Sequence, residues 1–135
     1  MHEIKKVNFN GGNLIETNLK RANFIGADLR AADLKESHFE GANLREANFE
    51  GANLEGANLR GANLHRANLR EVNLEGADLN WAMLRGANLN EADLEGTNFT
   101  GANLGADLIK TSVKSIIKDS IIPNNCTRFC TTFCV

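Results

Sequence analysis

The sequence predicts a solenoid, a chain coiled so that it turns a corner every five residues. Three observations predict it. Leu or Phe recurs at every fifth position from Phe9 to Leu104, twenty times without a miss. Two residues before each of these centres stands Ala in fourteen of twenty repeats, and the exceptions (Val7, Gly12, Thr17, Ser37, Val72, Thr97) are small or β-branched. One residue before the centre stands Asn or Asp in eighteen of twenty, with only His38 and Met83 departing.

A strict period of five fits neither of the regular elements. A helix repeats every 3.6 residues and a strand every two. A sustained five would wind an apolar stripe around the whole surface of an α-helix, and frequent Gly and Asn oppose a helix in any case. A coil that turns at each repeat accommodates the pattern. The centre and the small residue before it point inward, and the other three point out. Ala is required because the interior is narrow, so a large centre needs a small neighbour to reach close packing. Gly and Asn are read as the residues that tolerate corner conformations. The two positions after the centre are polar, charged or Gly, apart from Ile15, Ile25, Ala31 and Trp81.

The composition agrees with one unusual domain. The 135 residues are 42% apolar, dominated by Leu and Ala, with no Tyr, one Trp and one Pro. A formal net charge of −2 implies no chain-level steering toward nucleic acid or membrane. The opening "MHEIKKVNFNGG" has no apolar run of the secretory kind, and no stretch approaches a membrane span. The expected location is therefore cytoplasmic, where the three cysteines would be reduced.

These A-[DN]-L-x-x units resemble the pentapeptide-repeat family, over roughly residues 5–108. The resemblance implies an all-β solenoid, a right-handed quadrilateral β-helix with four repeats per square coil. Twenty repeats then make about five coils, a rod of about 24 Å at the usual strand spacing. It also implies that residues twenty apart stack in vertical columns. Following the first outward residue, one column reads Asn10, Arg30, Glu50, Arg70, Asn90, and another Lys20, Glu40, Arg60, Asn80, Thr100. Both alternate in sign, an arrangement in which stacked neighbours attract weakly. A third column ends in Glu55, Glu75 and Glu95. On the opposite side runs a basic column of Arg45, His65 and Arg85, with Arg66 beside it. These like-charge columns read either as solvated faces of a drifting repeat or as interaction surfaces. Trp81 and Met83 form an outward pair. They read either as a partner hot spot or as a patch covered by the C-terminal segment, and coverage is the expectation.

After Leu104 the phase slips, because Leu108 follows by four residues. In "IKTSVKSIIKDSII" Ile109, Val113, Ile116, Ile117 and Ile121 fall at helical spacing, with Lys110, Lys114 and Lys118 on another face. The division expected is a β-helix over 1–108, a short amphipathic capping helix over 109–122 and a flexible Cys/Thr-rich tail over 123–135. The helix would close an end whose edges invite association. A cap, or homodimerisation through an end of the solenoid, is what the resemblance implies there. Pro123 ends the helix and Asn124-Asn125 reads as a joint.

No catalytic constellation emerges. His2, His38 and His65 are scattered, there is no G-x-S-x-G, and the glycines are corner residues rather than a phosphate loop. No enzyme, cofactor, metal, direct nucleic-acid partner or membrane partner is expected. The tail "CTRFCTTFCV" is the exception to the repeat's chemistry. It reads in four ways: three thiolates of an incomplete metal site, small disulfide loops with one thiol over, an inert end, or a substrate. Thr127 precedes Cys130 by three residues and Thr131 precedes Cys134 by three. A thiolate three residues on can add to a dehydrated threonine and close a thioether ring. With Cys126 and Thr132 beside them, these residues look like the core of a ribosomally synthesised, post-translationally modified peptide precursor whose leader is a folded domain.

Two functions follow. One is a carrier that presents residues 124–135 to a tailoring enzyme. The other is a scaffold that binds a protein through a β-helix face. The resemblance includes proteins thought to protect DNA gyrase by mimicking DNA. A weak version of that role fits the fifteen acidic and nine basic residues of 7–108, although five coils are short for it and the basic column opposes it.

Overall fold

The computed structural model describes residues 6–105. Each repeat contributes one short parallel bridge at its Asn or Asp slot, and each bridge joins residues twenty apart, from Asn8–Asp28 to Met83–Asn103. The register never changes, so four repeats complete one turn and every residue lies over its equivalent one turn earlier.

Three backbone hydrogen bonds per repeat hold one turn on the next through most of the stack. In the first repeat, the N–H of the centre Phe9 donates to the Asp28 carbonyl at 2.7 Å. The Gly11 N–H donates to Arg30, and Asp28 returns a bond to Val7, both at 2.8 Å. Buried backbone groups need partners, and the stack supplies them from its neighbouring turns.

The corners have one construction. The N–H of each small residue donates to the preceding centre's carbonyl, as Gly12 does to Phe9 at 2.8 Å. The second outward residue between them has positive φ at every corner from Gly11 to Trp81 and on to Gly101. A single positive φ in the third position of a hydrogen-bonded turn is the signature of a type II turn. Nine of these corners are not Gly, among them Glu16, Arg66 and Trp81.

The Asn slot has a different role from the one its composition suggests. Its residues do not take positive φ. Instead the side-chain oxygen accepts the N–H two residues on, as Asn8 Oδ1 does from Asn10 at 3.0 Å and Asn73 Oδ1 from Glu75 at 2.9 Å. All eighteen Asn and Asp residues in the slot from 8 to 103 make this bond. It is an Asx turn that satisfies a corner N–H. Some slots also bond vertically, as Asn68 Nδ2 donates to Asn48 Oδ1 at 3.1 Å.

Inside, centres and small residues fill the coil alternately. From Ala27 onward almost all are fully buried. Phe9, Phe24, Phe39 and Phe49 meet edge to face in sequence, with ring centroids 6.0–6.2 Å apart. That geometry suits the ring quadrupoles. Thr97 enters the small slot by donating its hydroxyl to the Leu74 carbonyl at 2.8 Å, whereas the buried Ser37 hydroxyl has no hydrogen-bond partner among the described residues. In the first turn the centres Phe9, Leu14 and Leu19 are only partly buried, and Ile15 and Ile25 are 42% and 44% exposed on its rim. In the last described turn Leu89, Leu94, Phe99 and Leu104 are buried. The expected capping helix (109–122) and tail (123–135) lie outside the described residues.

Candidate functional site

The alternating columns pair in part. Lys20 meets Glu40 at 3.6 Å, one turn above, and in the acidic column Lys35 meets Glu55 at 3.2 Å. Elsewhere the cation turns away from its column. Arg30 clasps Asp28 in its own turn, with Nε donating to Oδ1 at 2.9 Å and Nη2 to Oδ2 at 2.7 Å. Arg60 reaches Asp78 at 3.4 Å, and Arg70 reaches Glu71 and Glu91 at 3.5 and 3.7 Å. A guanidinium finds a carboxylate in the neighbouring Asn slot or corner as readily as one directly above it. Sequence reading missed these partners because it followed single columns.

The Arg30 guanidinium, through its side-chain hydrogen bonds, holds the Asp28 carboxyl down at about 2. Asp28 in turn raises the Arg30 pKa, and Glu55 raises that of Lys35. A depressed carboxyl favours the folded state above its unfolded value of 3.8, and that contribution fades as pH falls towards 2. The group is still reached by solvent, so the effect on stability is small. A carboxyl-carbon NMR titration checks the cause: in Arg30→Ala the Asp28 midpoint rises toward the ordinary carboxylate range, and an unmoved midpoint refutes it.

The acidic column is paired at one end. Glu55 is neutralised by Lys35, leaving Glu75 and Glu95 exposed. The basic column lines a groove. Arg45, His65 and Arg85 line an open groove of about 320 Å³ together with Asn63, Asn103 and Met83. Arg45 approaches Glu46 at 3.8 Å, and among the described residues Arg66 and Arg85 form no ion pair. The sequence treated the basic column and the Trp81–Met83 pair as separate features. The coil places Met83 inside the groove and Trp81 at the corner that leads into it.

Trp81 is 58% exposed and Met83 45% exposed, so the described residues leave the pair uncovered. The C-terminal segment expected to cover it lies outside them. The indole lies over the backbone of Gly101, where a Cβ would stand 2.6 Å from Cδ2 and Cζ3. Nothing comparable crowds Gly61, one turn the other way. The tail residues Cys126, Thr127, Cys130, Thr131, Thr132 and Cys134 lie outside the described residues. Among the described residues no three His, Cys, Asp or Glu side chains gather as a metal site, and no helix is long and apolar enough to cross a membrane.

Such a molecule is a repeat solenoid with an apolar interior and stacked side-chain columns outside. Pentapeptide repeats, in eight copies, match residues 4–41, 22–61, 37–76, 62–101 and 73–112. A pentapeptide repeat protein of the Arabidopsis thaliana thylakoid lumen is 30% identical, at a TM-score of 0.76 over 81% of this chain and 75% of that one. Two cyanobacterial pentapeptide repeat proteins are also similar in sequence. Rfr23 of Cyanothece 51142 is 40% identical over 75% of this chain and 62% of its own, with a TM-score of 0.35. HetL of Nostoc sp. PCC 7120, involved in heterocyst differentiation regulation, is 29% identical over 76% and 59%, with a TM-score of 0.40. No curated protein matches. The chain belongs to the pentapeptide-repeat family. Its fold is therefore the right-handed quadrilateral β-helix of that family, and the family is one of non-enzymatic scaffolds.

Proposed function

We propose that the chain is a non-enzymatic carrier: a rigid β-helical body of about five coils that presents residues 124–135 to a modifying enzyme in the cytoplasm. The observation that carries this reading is the change of alphabet. Twenty in-phase repeats contain no Cys, and then Cys126, Cys130 and Cys134 follow at a period of four with Thr127 and Thr131 between them. The twenty-residue register over 6–105 supports the rod. A stiff body suits a carrier because it offers a fixed recognition surface while the substrate segment stays separate. Residues 109–122 would close the rod, and Pro123 with Asn124-Asn125 would act as the joint.

The chemistry proposed is ring closure. A partner enzyme dehydrates Thr127 and Thr131, each losing water to leave a carbon–carbon double bond. The thiolates of Cys130 and Cys134 add to the β-carbons, and each α-carbon takes up a proton. Each ring lowers the mass by one water and consumes one thiol. Intact-mass measurement with thiol alkylation, on protein from its native host, tests this. The expected result is a loss of one or two waters with a matching loss of alkylatable cysteines. A full mass with three free thiols refutes it. The coarser reading, a scaffold that binds a protein partner through a β-helix face, predicts that binding survives removal of residues 124–135.

A further inference from the structure

We propose that the face formed by Trp81, Met83 and the Arg45–His65–Arg85 column is a docking surface for an acidic peptide segment of a protein partner, one that carries an apolar anchor residue. The proposal rests on no assumption about the tail.

Two departures from the repeat lie side by side, and each works against local stability. Trp81 occupies a corner with φ of +63°, a region in which a bulky side chain is strained. Ten of the nineteen equivalent corners from 11 to 101 use Gly instead. Met83 occupies the Asx slot two residues on. Its thioether cannot replace the side-chain oxygen, amide or carboxylate, that accepts a corner N–H at all eighteen Asn and Asp slots, so the Arg85 N–H loses that cap. The Met83 backbone is otherwise regular, with its N–H donating to Ala62 at 2.9 Å and its carbonyl accepting from Leu64 at 2.7 Å. Strain and a missing cap two residues apart yield an exposed apolar pair and nothing for the core. Neighbouring local costs of this kind point to function rather than packing.

The surroundings select the partner. Met83 sits in a groove whose walls carry Arg45, His65 and Arg85, stacked one turn apart. Arg66 stands near this face and, like Arg85, has no ion-pair partner among the described residues. Trp, Met and Arg are the residues that interface cores favour. Three atoms of the indole lie close over Gly101, and an anchor that rests on backbone has less freedom to lose on association. A carboxylate-bearing strand with one aliphatic or aromatic side chain matches this face in both charge and polarity. Nucleic acid matches less well. Residues 6–105 hold fourteen acidic and ten basic residues, and an exposed Met in the groove lining offers nothing to a phosphate.

The test is selection of a displayed library of random twelve-residue peptides on the full-length chain, followed by binding titrations with the enriched peptides. The expected peptides combine Asp or Glu with an aliphatic or aromatic residue. Their affinity falls by about tenfold or more on Trp81→Gly and on Met83→Asn, and falls further with added salt and on Arg85→Glu. It is unchanged by Glu75→Ala on the opposite face. Both Trp81→Gly and Met83→Asn restore the repeat's preferred residue, so loss of binding cannot be ascribed to unfolding. The proposal is overturned if no peptide is enriched, if the enriched peptides bind these variants as tightly as the parent, or if a single-stranded oligonucleotide binds in their place with the same dependence on Trp81.

Discussion

Truncating Leu64 to alanine is expected to lower the unfolding free energy by about 3–4 kcal/mol, toward the upper part of the range for fully buried leucines. The side chain is fully buried, as are Leu44 and Leu84, which the twenty-residue register places one turn below and one turn above it. In a globule the surroundings of such a cavity can partly collapse. Here they cannot readily do so, because backbone bonds pin the rungs on either side. The Leu64 N–H donates to the Met83 carbonyl and the Leu44 N–H to the Asn63 carbonyl, both at 2.7 Å. The loss should also be local at first, since each turn touches only its neighbours. Urea titration measures the total. Hydrogen exchange should show protection falling most in the turns around residue 64. A cost below about 1 kcal/mol would contradict a close-packed coil interior.

Substitution of Gly101 by alanine is the second large effect expected. The residue has φ of +72°, where an added Cβ costs about 1–2 kcal/mol. The same Cβ would collide with the Trp81 ring, so the indole must leave the backbone it lies on. With a single Trp in the chain, the movement is read directly as a change in emission wavelength and quenching by iodide. Trp81→Gly should remove the collision and leave the conformational cost. The two substitutions should therefore be non-additive, the double variant being more stable than the sum of the singles predicts. Strict additivity would mean that the ring does not rest on Gly101.

Much of the architecture was legible because its causes are local and repeated. A centre every five residues with a small residue two before it has only one economical packing, and Leu29, Ala32 and Leu34 lie where that reasoning puts them, fully inside. The Asn slot was legible as a pattern but not as a mechanism. Tolerance of corner conformations and acceptance of a corner N–H call for the same residue, and only the hydrogen bonds separate them. The positive φ falls instead on a slot that holds Glu, Arg and Trp as well as Gly, a mixture from which composition extracts no signal.

The candidate surface was half legible. Trp81 and Met83 stood out as exceptions, and so did the basic column, but their union needed the coil. Met83 precedes Leu84 and Arg85 follows it, and only knowledge of which face each side chain takes shows that the two share a groove wall. The ion pairs were least legible. Arg60 with Asp78, and Arg70 with Glu91, cross between columns, because a long flexible side chain has many carboxylates within reach and small energies decide among them.

The invariant register has one more consequence. A chain built on twenty-residue turns has a length that can change only in certain steps without changing its bearing. Losing four repeats shortens the rod and leaves every later surface facing as before. Losing one repeat swings everything downstream through a quarter turn, and losing two sets it on the reverse side. For this protein, the compass direction in which Trp81 faces relative to Lys20 or Glu55 is thus written in the count of residues between them, and it is indifferent to which residues those are.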